Sequence, residues 1–280
     1  MRISINYHAT DTSMYPIDVA REAEARGFHG LYLPEHTHVP VSRDTPAPNG
    51  EDALPEMYWR TYDPFVMLAA IAQVTSTLTL GTSVSLVAQH DPVTLAKQIA
   101  TLDAISGGRF VLGVGFGWNR EEMATHRVAY ATRREQVRES VECMRALWTH
   151  HEASYQGRFY SLAPSWAYPK PAQPGGPPVL IGGGAGPRLF AAIAAWGDGW
   201  MPIGAGGLAM RLPELRAAME AAGRDPAALR VAPMAVEPTA EKLDYYRSIG
   251  VTEVGLRLPT AGRDAVLATL DAHANFLAHP

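Results

Sequence analysis

Apolar positions along this chain switch repeatedly between two spacings. Short β-branched or apolar runs alternate with stretches whose apolar residues recur at helical intervals. Arg2 to Asn6 is the first strand-like run. Pro16 then opens a helix with Val19, Ala20 and Ala23 on one face, and Gly27 ends it. His29 to Leu33 reads as a second strand, Phe65 to Val74 as a helix, and Leu78 to Thr82 as a third strand. Asp91-Pro92 starts the helix that carries Ala96, Ile99 and Ala100. Phe110 to Val114 is the fourth strand. Thr132-Arg133-Arg134-Glu135 has the capping-box pattern, with Val137, Val141, Met144 and Trp148 following at helical spacing.

Helical period is lost between His151 and Pro178, where prolines accumulate. This segment, about 151–178, reads as an insertion between strands four and five. The alternation then resumes. Strands are expected at Val179–Ile181, Gly199–Pro202, Arg230–Met234 and Glu253–Leu258, and helices at Leu189–Trp196, Leu208–Ala222, Ala240–Ile249 and Asp264–Leu277. Strands alternating with helices imply right-handed crossovers and a parallel sheet. Eight such units in 280 residues imply a closed (β/α)₈ TIM barrel, with an open doubly wound sheet as the competing arrangement. The eight units and the insertion use the whole of 1–280, so one barrel domain is expected.

Composition narrows the function classes. Cys143 is the lone cysteine, so no intrachain disulfide can form. With 47% apolar and 19% charged residues, the chain can bury a core and does not read as disordered. No apolar run approaches the roughly 18–20 residues of a membrane span. Met1-Arg2-Ile3-Ser4-Ile5-Asn6 reads as a strand start rather than a signal peptide, so a cytoplasmic protein with no membrane partner is expected. A net charge of −4 argues against a nucleic-acid partner. Arginine outnumbers lysine 21 to 3. That bias reads first as a GC-rich genome, with selection for anion recognition by the guanidinium fork as the alternative.

Barrel enzymes build their sites from the segments just after the strands. After strand two stands Pro34-Glu35-His36-Thr37-His38, a carboxylate and two imidazoles at one strand end. Histidine titrates near neutrality and can move protons. His-x-His could also begin a metal site, but strands five, six and eight end in Gly182, Pro202 and Pro259, which offer no further ligands. No metal is expected. Strand three ends in the small residues Gly81-Thr82-Ser83, which would let a flat ligand approach the backbone. Strand four ends in Gly113-Val114-Gly115-Phe116-Gly117-Trp118-Asn119. Trp118 stands where a dinucleotide fingerprint needs its third glycine. Strand five ends in Gly182-Gly183-Gly184-Ala185-Gly186-Pro187-Arg188, the better phosphate candidate: glycines, a helix start and a nearby arginine.

Taken together, several motifs resemble the bacterial luciferase-like superfamily. They are Glu35-His36, Gly81-Thr82-Ser83-Val84, the run from Ser106-Gly107-Gly108-Arg109 to Gly115, and Pro178 to Gly184. Trp148, Tyr155 to Tyr160, Pro169-Lys170-Pro171 and Asp198-Gly199-Trp200 extend the likeness over nearly the whole chain. The resemblance implies a (β/α)₈ barrel with an insertion that binds a flavin or the deazaflavin F420. The Pro-Glu-His loop is most similar to the F420-dependent branch.

The resemblance further implies a non-prolyl cis peptide at Ser83-Val84 behind the ring, Gly115, Gly117 and Asn119 along the cofactor tail, and Gly182, Gly183 and Gly184 at its phosphate. No lysine cluster for a sugar phosphate is evident. The expected activity is hydride transfer between F420 and a small organic substrate. His36 is then the acid/base, oriented or tuned by Glu35, and His8, Tyr58, Trp59 and His90 line the substrate pocket. An FMN-dependent monooxygenase using O₂ is the alternative, and a cofactor-free binding protein the third reading. The family's habit implies a homodimer through barrel helices.

Overall fold

The computed structural model describes residues 1–42, 44–47, 53–204 and 207–277. The strands are β1 (Arg2–Asn6), β2 (Gly30–Leu33), β3 (Thr79–Thr82), β4 (Phe110–Val114), β5 (Ala153–Gln156), β6 (Ser161–Ser165), β7 (Val179–Gly182), β8 (Gly199–Met201), β9 (Arg230–Val231) and β10 (Glu253–Arg257). The helices are α1 (Pro16–Ala25), α2 (Pro64–Ala72), α3 (Pro92–Ile105), α4 (Arg120–Thr125), α5 (Arg133–Thr149), α6 (Pro187–Trp196), α7 (Leu208–Ala221), α8 (Ala240–Ser248) and α9 (Arg263–Ala274).

Eight strands pair in parallel in the order β10-β1-β2-β3-β4-β7-β8-β9. The two ends of that list also meet. Thr252 N donates to Val231 O, Gly255 N to Pro233 O, and Val236 N to Gly255 O, all at 2.9–3.0 Å. The ring is therefore closed, as the alternation of strand and helix implies, and not the open doubly wound sheet. Between α5 and β7, strands β5 and β6 form a separate antiparallel hairpin. Lys170 sits after this hairpin and donates to Leu147 O and His150 O at 2.6 Å each, satisfying carbonyls left open at the end of α5.

Tyr32, Val111, Leu180, Met201, Ala232 and Met234 fill the barrel interior. Glu253, fully buried at the start of β10, accepts from Ser4 Oγ at 2.7 Å and Tyr32 OH at 2.8 Å, and pairs with Arg2 and Arg230 at 3.4 Å. This network lies at the strand beginnings, the end opposite the site. Arg109, from the Ser-Gly-Gly-Arg motif, is structural. Its guanidinium donates to the carbonyls of Ser106, Leu78, Ala72 and Thr75, tying the turns before β3 and β4 together.

Local chemistry explains most helix ends. Asp91 Oδ1 accepts from Thr94 N at 2.8 Å, capping α3. Gly27, at φ 84, ends α1 in the left-handed region where a side chain is strained. The capping box expected at Thr132 does not form. Thr132 has φ −105 and ψ 0 rather than an extended backbone, its hydroxyl donates to Ala129 O, and Glu135 pairs with Arg158 at 3.1 Å. Cys143 is buried in α5, and burial pushes its thiol up to about 11. It is part of the core. Among the described residues, no helix is long and apolar enough to cross a membrane.

Candidate active site

The floor of the barrel mouth is Val84. It packs on the interior cluster from above and remains partly exposed. Two glycines give it room: a Cβ on Gly115 would stand 2.4 Å from Val84 Cγ2, and one on Gly182 would stand 2.9 Å from Val84 Cγ1. Those glycines sit at the ends of the neighbouring strands β4 and β7. The Ser83-Val84 peptide is cis. Ser83 is held by its N–H to Leu33 O at 2.7 Å and accepts from Asn6 Nδ2 at 3.0 Å.

Two carboxylate–imidazole pairs stand around this floor, and they are not the pairs that sequence adjacency suggests. Glu35 does not hold His36. It is 3% exposed, and each of its oxygens is used: Oε1 accepts from His90 Nε2 at 2.7 Å, and Oε2 accepts from Ser85 Oγ at 2.7 Å and Leu86 N at 2.6 Å. Burial alone would raise its pKa. The bonds and charge of His90, with Ser85 and Leu86, outweigh that and hold it below the usual carboxylate range. Burial works to lower His90 in turn, and Glu35 more than reverses it, leaving His90 raised.

His36 is held instead by Glu122, with Nδ1 and Oε2 2.9 Å apart. Their side chains are only 7% and 1% exposed. Glu122 lies in the first turn of α4, where its N–H donates to the Asn119 side chain at 2.9 Å. Asn119 is thus the α4 cap. Glu122 Oε1 is buried and makes no hydrogen bond. The sequence pattern missed this residue because a first-turn glutamate also satisfies the helix dipole. Its place three residues after a capping asparagine, just past a strand end, was the available signal.

Aromatic rings wall the pair. His36 makes edge contacts with Tyr58 at 5.6 Å and Trp118 at 5.9 Å between ring centroids, and Tyr58 meets Trp118 at 6.0 Å. His8 meets Tyr58 at 5.4 Å. Burial and then the nearby His36 charge push His8 down to about 4, so it is neutral near pH 7, and its buried Nε2 makes no hydrogen bond. The structure thus brings His8, His36, Tyr58 and Trp118 together. Trp59 is 46% exposed and outside this ring cluster, and His90 points to Glu35 and the Phe65 ring.

The glycines expected along the cofactor tail and at its phosphate divide. Gly115 and Gly182 make room for Val84, and Gly117, at φ 75, lies against Met123. Gly183 and Gly184 are exposed, and at Gly184 and Gly186 an added Cβ would meet nothing. Trp200 Nε1 donates to Gly183 O at 3.0 Å and steadies this loop. The loop runs into α6, which has Pro187 in its first turn, no side-chain cap and no acidic residue there. Pro187 has no N–H, and Leu189 N and Phe190 N both donate to Gly186 O at 3.0 Å, so the Arg188 N–H is the helix-start donor open to an anion.

The fold and site define a (β/α)₈ barrel whose mouth combines an imidazole–carboxylate pair with an open glycine loop and helix start. The Luciferase-like monooxygenase family matches residues 2–249, and the chain belongs to that family. It is 43% identical over 281 residues to an uncharacterised protein of Mycobacterium tuberculosis, covering 99% of both chains. It is 29% identical over 233 residues to an F420-dependent glucose-6-phosphate dehydrogenase of Kineococcus radiotolerans, covering 79% of this chain and 64% of that one. Among solved structures, an F420-dependent secondary alcohol dehydrogenase in complex with an F420-acetone adduct superposes with a TM-score of 0.77 at 18% identity, covering 98% of each chain.

Proposed function

We propose that this chain is a cytoplasmic, single-domain F420-dependent oxidoreductase. It moves a hydride between the deazaflavin and the carbon of a small alcohol or carbonyl compound, with His36 as its acid/base. The observation that carries this reading is the buried His36–Glu122 pair at the mouth, walled by Tyr58 and Trp118. Hydride transfer at a carbinol carbon needs a group that takes the hydroxyl proton, and the reverse reaction needs one that returns it.

The residues present fit a flat, anionic cofactor. Val84 gives a partly exposed apolar floor, and the exposed Gly183 and Gly184, beside the Arg188 N–H at the α6 start, give backbone N–H groups for a phosphate. The deazaflavin, when bound, supplies the hydride-accepting or hydride-donating carbon. Val84 would pack beneath its ring, and the Gly182–Gly184 loop would hold its phosphate. As a carboxylate, Glu122 can only accept, so His36 Nδ1 carries the hydrogen and Nε2 is the atom that exchanges a proton with substrate. Glu122 then stabilises the imidazolium formed when Nε2 takes that proton. His8, kept neutral by burial, offers a polar atom to the substrate oxygen without competing for its proton.

Titration of the purified protein with F420 and with FMN, followed by fluorescence, tests the reading. F420 binding is expected. Tight FMN binding without F420 binding would leave the FMN-dependent monooxygenase in its place, and binding of neither would leave a binding protein.

A further inference from the structure

The arginine excess reads from sequence as genome composition, yet the structure gathers part of it beside the mouth. Arg133 and Arg134 are the first two residues of α5. Arg134 lies with its guanidinium carbon 4.1 Å from the centroid of Phe116, which follows β4. Arg133 stacks at 3.5 Å on Tyr130, and Arg120 approaches the same ring at 4.6 Å. Arg188 stands in the first turn of α6, the helix that follows β7. β4 and β7 are neighbours in the barrel, so the cluster borders the open Gly183-Gly184 loop.

Four features show that fold stability does not fully account for these arginines. Arg133, Arg134 and Arg188 form no ion pair with a carboxylate among the described residues; Glu135, in the same turn, is taken by Arg158. Arg133 Nη1 donates to Tyr130 O at 2.6 Å, but Arg133 Nε and Arg134 Nη1 are buried without a hydrogen-bond partner, and an unmet buried donor is costly, more so on a charged group. Cations in the first turn of a helix also oppose its dipole. Burial, with Arg133 and Arg188 adding repulsion, pushes Arg134 down, the mark of a cation lacking its counterion.

We propose that Arg133, Arg134 and Arg188 form a docking site for a polyanionic cofactor tail, taking carboxylates that lie beyond the phosphate held at Gly182–Gly184. This rests on the deazaflavin reading above. F420 carries glutamates beyond its phosphodiester, whereas FMN ends in one phosphate. The guanidinium fork matches a carboxylate, and the aromatic stacking on Phe116 and Tyr130 pre-orders two of the three forks.

Fluorescence titration of the full chain with oligoglutamyl F420, and with the same deazaflavin lacking glutamates, tests this. At low salt the wild type is expected to prefer the tailed form by about tenfold, a preference lost at high salt. Arg133→Gln/Arg134→Gln should abolish the preference, leave the affinity for the tailless form within about twofold, and keep Tm, because the relieved repulsion with the helix dipole offsets the lost Arg133–Tyr130 O bond. Equal affinity of the wild type for both forms, or a double variant that keeps the preference, overturns the docking site and leaves F420 dependence standing. Failure of the wild type to bind either form overturns the deazaflavin reading itself, and the docking site with it.

Discussion

Glu35–His90 and Glu122–His36 are both buried carboxylate–imidazole pairs at the barrel mouth, with contacts of 2.7 and 2.9 Å. They differ in what is left over. Glu35 has both oxygens engaged, by His90, Ser85 and the Leu86 N–H, so its charge is fully committed to holding the β3 end in place. Glu122 keeps one oxygen free of hydrogen bonds, and its imidazole sits among rings rather than polar partners. A satisfied pair stabilises structure, and an under-satisfied one is available for chemistry. Reading Glu35-His36 as one unit merges the two roles, although the residues are adjacent in sequence.

The largest expected difference is in turnover. His36→Ala should reduce F420-linked kcat about 100-fold or more, the usual range for a lost acid/base, with F420 affinity little changed. Glu35→Ala should act on the fold. Removing one partner of a buried pair costs about 3–5 kcal/mol, so urea denaturation should show a clear drop in the midpoint. Glu122→Gln keeps the shape but removes the charge that stabilises the imidazolium and, because an amide both donates and accepts, no longer fixes the His36 tautomer. It should lower kcat about tenfold or more by the same reasoning, with a smaller effect on stability than Glu35→Ala.

Smaller effects follow from pH. The lowered Glu35 contributes stability above its ordinary range, lost as pH falls through its depressed value. The raised His90 contributes below about pH 6.5, and this is lost as pH rises through its elevated value. His8 has the opposite sign to His90. Its folded value of about 4 means that the unfolded chain binds the extra proton, so stability falls on acidification from about pH 6.5 to 4. The loss is on the order of 3 kcal/mol. Urea unfolding across that range should show this slope, and His8→Phe should flatten it.

What was legible in the sequence was periodic. The closed barrel follows from eight alternations, and the Asp91 cap and Gly27 stop follow from local backbone chemistry. What was not legible depends on neighbours distant in sequence. Glu122 reaches His36 across 86 positions, and His90 reaches Glu35 across 55, because parallel strands bring successive loops side by side. Gly115 and Gly182 read as cofactor glycines, but their missing side chains first accommodate Val84. Thr132 had the capping-box residues but lacked the backbone conformation that lets the box close. Arg133 and Arg134 read only as part of a capping-box pattern, because their stacking and unmet donors depend on the Tyr130 and Phe116 rings and the burial around them.

The contrast between the two pairs is tested most directly by the pH dependence of kcat/KM for F420-linked oxidation of small alcohols. The wild type, Glu122→Gln and Glu35→Gln should be compared at temperatures where all three are folded. Glu122→Gln is predicted to move the pH profile that reports His36, and Glu35→Gln to leave it in place. A profile shifted by Glu35→Gln and untouched by Glu122→Gln would contradict the account.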